Sequence, residues 1–325
     1  MPGTMSDLIT GVIAGDRRAT ARAISIVEDS RRGKAELLAA LFSSGRKAYV
    51  CGITGPSGAG KSTLVDQLAG GALERGEKVG IVCVDPSSPF SGGALLGDRI
   101  RMHSIATDPG VFIRSMATRG SRGGLARAAR EVVTVLGATG VDRVIVETVG
   151  VGQIELDIAE AADTTVVVLV PESGDGIQAM KAGLMEIGDI FVINKADRDG
   201  AAGLRLEIES MLALRQGRER EPAVLTTIAS RGEGIAELSD AIAEHRDWLE
   251  SSGEGERRRR RRIGVYVKEI IHDAITNGLW EEGGYAERLE NEIDRILAGS
   301  TDPFTVAHEI MRAGGVVGAG AVNGS

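Results

Sequence analysis

The chain has 325 residues, a formal net charge of −8, 42% hydrophobic residues and only 3% aromatics. That balance fits a globular protein with room for one large α/β domain and appendages, and it offers neither a general attraction to nucleic acid or anionic lipid nor a stacking platform for single strands. No basic segment followed by an apolar core opens it, and the strongest apolar run, Val166 to Val170, is far too short to span a bilayer.

Three amphipathic segments come first. Leu8, Ile9, Val12 and Ile13 share one helical face, Ala23, Ile24 and Val27 a second, and Leu37, Leu38, Leu41 and Phe42 a third. Residues 1–46 therefore read as an N-terminal helical extension. From 47 to 250, Val- and Ile-rich runs alternate with helical patterns. The strand candidates are 48–54, 79–85, 111–115, 141–148, 164–170, 189–194 and 223–227. They mostly lack period-two alternation, as strands covered on both faces of a parallel sheet do. Helices are expected at 61–75, 123–136, 177–187, 204–214 and 235–249. The fold class is thus α/β with a doubly wound, mostly parallel sheet and ligands at the strand C-termini, and the G-x-x-x-x-G-K-S run from Gly55 to Ser62 after the first strand makes it a P-loop NTPase. Cys51 and Cys83 fall inside buried strands, which fits core packing and a reduced cytoplasmic setting.

Gly55-Pro56-Ser57-Gly58-Ala59-Gly60-Lys61-Ser62-Thr63 sits between the first strand and its helix. Glycines let successive N–H groups point inward around phosphate, and the helix N-terminus adds partial positive charge. Lys61 can reach the β- and γ-phosphates, and the Ser62 hydroxyl can ligate Mg²⁺. Val144-Ile145-Val146-Glu147 is an apolar strand ending in a carboxylate, with Gly150 three residues on. Glu147 is expected to serve Mg²⁺ directly or through water, and Asp85 and Asp98 are the other carboxylates within reach of the metal. For Asp98, an N-cap on a helix stands as the structural alternative. Gln153 is a candidate for positioning water, although its spacing after Gly150 is not that of small signalling GTPases. The catalytic candidates are thus Lys61, Glu147, Gln153 and Asp98. Arg99, Arg101, Arg119 and Arg122 are candidate charge donors, with surface placement as the default. Slow intrinsic turnover, accelerated by a partner, is expected.

Asn194-Lys195-Ala196-Asp197 ends another apolar strand. Guanine shows an N1–H and an N2 amino group on one edge, and a buried Asp197 carboxylate accepts from both. Adenine lacks that donor pair, so GTP is favoured over ATP. Asn194 is placed to bond the other edge of the base, and the Lys195 stem to cover its face. A backbone N–H near Ala229, in Thr227-Ile228-Ala229-Ser230, is expected at the guanine oxygen.

Residues 251–256 read as a linker, and Arg257 to Arg262 as the exposed start of a long helix whose apolar face carries Ile263, Val267, Ile270, Ile271, Ala274 and Ile275. Shorter helices are expected at 285–297 and 303–311. Residues 257–315 form a helical arm, suited to dimerisation or partner contact or equally to capping the sheet, and 316–325 a flexible tail.

The P-loop, Val84-Asp85-Pro86-Ser87-Ser88, the run from Gly92 to Met102, the run from Glu147 to Gln153, and Asn194–Asp197 together resemble the MeaB/ArgK family of GTPases, chaperones of adenosylcobalamin-dependent acyl-CoA mutases. The resemblance runs from the N-terminal helices to about Met311. It implies a homodimer, and Asp85, Asp98 and Glu147 serving Mg²⁺ and nucleotide sensing. It also implies a partner mutase acting on methylmalonyl-CoA or a related acyl-CoA, with adenosylcobalamin carried only through that partner. A further switch segment corresponds to residues 172–181, which depart from the family pattern at their start and at Gly176. The alternative is a GTPase metallochaperone delivering metal to an enzyme. That role wants a soft-ligand cluster, whereas His103, His245, His272 and His308 are scattered and no C-x-x-C occurs.

Overall fold

The structure, a computed structural model, describes residues 4–85, 102, 104–117, 124–148, 161–171, 183–215 and 219–316, side chains at 85, 117, 124–126, 281 and 282 apart. Two compact units divide the chain, Met1–Arg258 and Arg259–Ser325.

The first unit opens with α1 (Met5–Ile13), α2 (Arg17–Glu28) and α3 (Lys34–Ser43). Thr4 and Asp7 form a reciprocal capping box on α1, and Asp16 caps α2 through Ala19 N–H. Then come β1 (Tyr49–Thr54), α4 (Lys61–Glu74), β2 (Val79–Asp85), β3 (Val111–Ala117), α5 (Gly124–Ala138), β4 (Arg143–Thr148), β5 (Thr164–Leu169), β6 (Ile190–Asn194), α6 (Ala201–Ala213), β7 (Ala223–Thr227) and α7 (Ile235–Ser251). The seven strands lie in one parallel sheet in the order β3-β2-β4-β1-β5-β6-β7.

Both faces of that sheet are covered. Val166, Val168, Ile190 and Val192 point into a core shared with Leu64, Leu68 and Ala72 of α4 and Leu238 and Ile242 of α7. Their neighbours Val167, Leu169 and Phe191 point the other way, onto Ile208 and Leu212 of α6. On that same side, Val82, Val84, Val144 and Val146 pack with α5 and all three N-terminal helices. Two inward faces per strand explain the unbroken apolar runs. The N-terminal extension is held further by Glu28 with Arg114 of β3, and by Lys34 with Glu131 of α5 at 2.6 Å.

The expected linker differs. Only Ser252 and Gly253 separate α7 from α8 (Glu254–Asn277), because Glu254 is already in the helix and binds Arg257 Nε at 2.6 Å. The arginine run is mostly exposed, as expected, with Arg258 and Arg262 half-buried. Arg258 donates from both terminal nitrogens to Asp189, just before β6, at 3.0 and 2.9 Å. Asp189 also faces His245 Nε2 at 3.5 Å, and His245 Nδ1 meets the Thr164 hydroxyl at 2.6 Å. Burial alone would raise the Asp189 carboxyl, but bonds from His245 and Arg258 outweigh it and hold the group at about 2. Burial pushes the Cys51 thiol up to about 12, so it stays protonated in the core.

In the second unit, α9 (Tyr285–Leu297) and α10 (Pro303–Ala313) follow α8, and Leu279, Val306 and Ile310 form a small core. On α8, Ile263, Val267, Ile270, Ile271 and Ile275 are each at least 40% exposed. They recur at helical spacing, so they form one uncovered apolar stripe.

Candidate functional site

The P-loop leaves β1 at Thr54 and enters α4 at Lys61, at the C-terminal edge of the sheet. Gly55 and Gly60 take φ of +139° and +86°. A Cβ at Gly55 would run into the Val168 carbonyl, and one at Gly60 into the Asn194 side-chain amide. These two glycines therefore let the loop lie against β5 and β6. Lys61 is buried, and its Nζ donates to the carbonyls of Gly55 and Pro56 at 2.7 and 2.8 Å, across the mouth of the loop.

Ser62 Oγ donates to Glu147 Oε1 at 2.6 Å. Glu147 is 2% exposed, and Cys83 Sγ approaches its other oxygen at 4.0 Å. At the same strand edge the Thr148 hydroxyl donates to that of Thr54 at 3.0 Å. Two hard oxygens side by side suit Mg²⁺, whose octahedral ligands lie about 3 Å apart when each is about 2.1 Å from the ion. Asp85 closes β2, next to β4, but its side chain is outside the described residues. Asp98, Gly150, Gln153, Arg99, Arg101, Arg119, Arg122 and 172–181 also lie outside them. Among the described residues no group of three or more His, Cys, Asp or Glu could hold a metal by itself. His245 is buried in the Asp189 network, whereas His272 is 79% exposed. No helix among the described residues is long and apolar enough to cross a membrane.

Asn194 makes three hydrogen bonds within the protein. Its Nδ2 donates to the Ala59 carbonyl at 2.8 Å. Its Oδ1 accepts from the Thr227 hydroxyl and from Ala229 N–H, both at 3.1 Å. The side chain thus joins the phosphate loop to the loop after β7, and the second N–H of Nδ2 takes no part in these bonds. The Ala229 N–H, expected at the guanine oxygen, is taken by the same amide. These bonds have one physical reason: Asn194, Ala59, Thr227 and Ala229 are buried, and buried polar groups must find partners.

Beyond Asn194 the chain turns sharply. Lys195 adopts φ +56°, rare for a residue with a side chain, and Ala196 N–H donates to Thr227 O at 3.1 Å. Asp197 follows on this pinned turn. It is 36% exposed, not buried as expected, and its Oδ2 lies 3.3 Å from Arg231 Nη2. Ile228 N–H donates to Glu233 O, and Arg231 N–H to Ile228 O, so Ile228, Ala229 and Ser230 sit on a closed loop. Sequence reasoning missed Arg231. Its only signal is a cation one residue beyond the Thr227–Ser230 segment.

Comparison with known proteins decides the family. The model of a family described as methylmalonyl Co-A mutase-associated GTPase MeaB matches residues 20–283. The chain belongs to the MeaB family. A relative from Pyrococcus abyssi is 48% identical over 320 residues, 97% of this chain and 98% of its own length. The mouse protein named methylmalonic aciduria type A homolog, mitochondrial, is 32% identical over 94% of this chain and 78% of its own length. A crystal structure titled LAO/AO transport system kinase superposes with a TM-score of 0.71 at 28% identity, covering 96% of this chain and 98% of the other. This MeaB-family chain is a P-loop GTPase, hydrolysing GTP to GDP and phosphate.

Proposed function

We propose that this GTPase is a chaperone for an adenosylcobalamin-dependent acyl-CoA mutase, methylmalonyl-CoA mutase or a close relative, working in the cytoplasm. It would gate cofactor loading and protect the mutase from inactivation, with adenosylcobalamin held by the partner. What carries the reading is the extent of the family match. It spans residues 20–283, so it takes in part of the N-terminal helices and all of α8, not only the nucleotide core.

In this reading residues 55–63 cradle the phosphates, with Lys61 leaving its two carbonyl partners to neutralise the β/γ oxygens. Ser62 and Glu147 hold Mg²⁺, which supplies charge neutralisation on the transferred phosphoryl group. Asp85 and Asp98 join them in one nucleotide state or another, and Gln153 is the candidate for orienting water. Asp197 accepts from the guanine edge, Lys195 covers its face, and Ile228 to Ser230 line its rim. Asn194 sets the spacing between phosphate and base sites through Ala59 and Ala229. The α8 stripe suits homodimerisation, since exposed Ile and Val along one helix face are buried when two copies pair.

The test is to add a purified adenosylcobalamin-dependent methylmalonyl-CoA mutase and follow GTP turnover and co-elution. Stable association and an accelerated rate are expected. No complex and an unchanged rate with this mutase and its close acyl-CoA relatives would refute the reading.

A further inference from the structure

Asp197 already carries a cation. Arg231 Nη2 lies 3.3 Å from Asp197 Oδ2, and Arg231 Nη1 lies 3.9 Å from Glu233 Oε1. The guanidinium therefore stands between two carboxylates. The backbone carrying all three is fixed by hydrogen bonds. Ile228 N–H donates to Glu233 O at 3.0 Å, Arg231 N–H to Ile228 O at 2.8 Å, and Ala196 N–H to Thr227 O at 3.1 Å. Motion is left to the side chains, and all three are at least 36% exposed.

A purine edge with two N–H donors competes with Arg231 for the Asp197 carboxylate. The geometry points to Arg231 as a two-position latch, resting on Asp197 when the base site is empty and shifting to Glu233 when guanine takes the carboxylate. This inference rests on the proposed role of Asp197 and deepens it. Guanine replaces the displaced cation with two donors. Adenine brings no donor pair, so it cannot compensate Asp197 for losing Arg231. The latch thus adds to base selection. It acts through Asp197, which makes Arg231 a positioning residue.

The pair is exposed, so the effect is modest and salt-dependent. Stopped-flow binding of fluorescent GDP to the full chain reads it directly. Arg231→Ala removes the competitor, and GDP binds about twofold to fivefold tighter at low salt. Glu233→Gln removes the second resting place, and GDP binds about twofold weaker. In the Arg231→Ala background Glu233→Gln has no effect, because the two act through one guanidinium. Both single effects shrink at high salt, which a change in loop packing would not do. Weaker or unchanged binding by Arg231→Ala, or a Glu233→Gln effect that persists without Arg231, overturns the latch. Competition of GTP against ATP in the wild type separates the two layers. Guanine preference with a silent Arg231→Ala rejects the latch alone, whereas no guanine preference rejects the role of Asp197 and the latch with it.

Discussion

Replacing Asn194 with alanine removes three hydrogen bonds at once, to Ala59 O, Thr227 Oγ1 and Ala229 N. Ala59 is fully buried and Ala229 is 2% exposed, so water reaches neither orphaned group without opening the loops. A buried donor or acceptor left unpaired costs about 1–3 kcal/mol. Thr227 keeps a rotatable hydroxyl and loses less. Two backbone orphans therefore give a loss of roughly 2–6 kcal/mol, shared between folding stability and the tie between the two loops. Urea denaturation followed by circular dichroism measures the first part. Fluorescent GDP titration measures the second, where weakening of about tenfold corresponds to 1.4 kcal/mol. Thr227→Val is the milder companion, expected to lose about 1 kcal/mol. If Asn194→Ala unfolds at the wild-type urea midpoint and binds GDP with wild-type affinity, the brace does not organise the site.

Lys61→Ala is expected to lose GTP binding, since it removes the ammonium that bonds the Gly55 and Pro56 carbonyls at the mouth of the loop; isothermal titration checks it, with circular dichroism to follow the fold. Glu147→Gln should weaken Mg²⁺ support of hydrolysis by at least about tenfold, read from the Mg²⁺ concentration needed for half-maximal rate. The Asp189 network predicts acid sensitivity. The folded carboxyl lies at about 2 against an ordinary value of 3.8, so its contribution is full above about pH 4 and is lost as pH falls toward 2. The shift corresponds to roughly 2 kcal/mol, and Asp189→Asn should flatten that part of the stability–pH curve. Ile270→Glu with Ile271→Glu, on the exposed α8 stripe, should convert a dimer to a monomer by light scattering without moving GTP affinity.

The sheet is legible in the sequence because its inner strands bury both faces, so Val79–Asp85 stands out with its observed ends; Ala223–Thr227, a half-buried edge strand, does so through its β-branched residues. The outer ends of other strands are less so: Val141 and Ala48 are apolar and extend the pattern, yet no ladder partner reaches them. Residues 251–256 have linker composition, but Glu254 and Glu256 are acidic groups in the first turn of α8, where they favour the helix end. The P-loop is legible because its glycines and Lys61 act locally. The roles of Asn194, Arg231 and Arg258 are not. Their partners, Ala59, Asp197 and Asp189, stand 135, 34 and 69 residues away in the chain, and only the fold brings them together.

In the proposed site one GTP spans the glycine loop and Asp197. An amide in place of that carboxylate offers an N–H₂ donor to the C2 oxygen of xanthine and no acceptor pair to guanine. Competition titrations of GTP and xanthosine triphosphate against wild type and Asp197→Asn measure this directly. The variant is expected to exchange guanine preference for xanthine preference while retaining its fold. A folded variant that still prefers GTP as strongly as the wild type would contradict it.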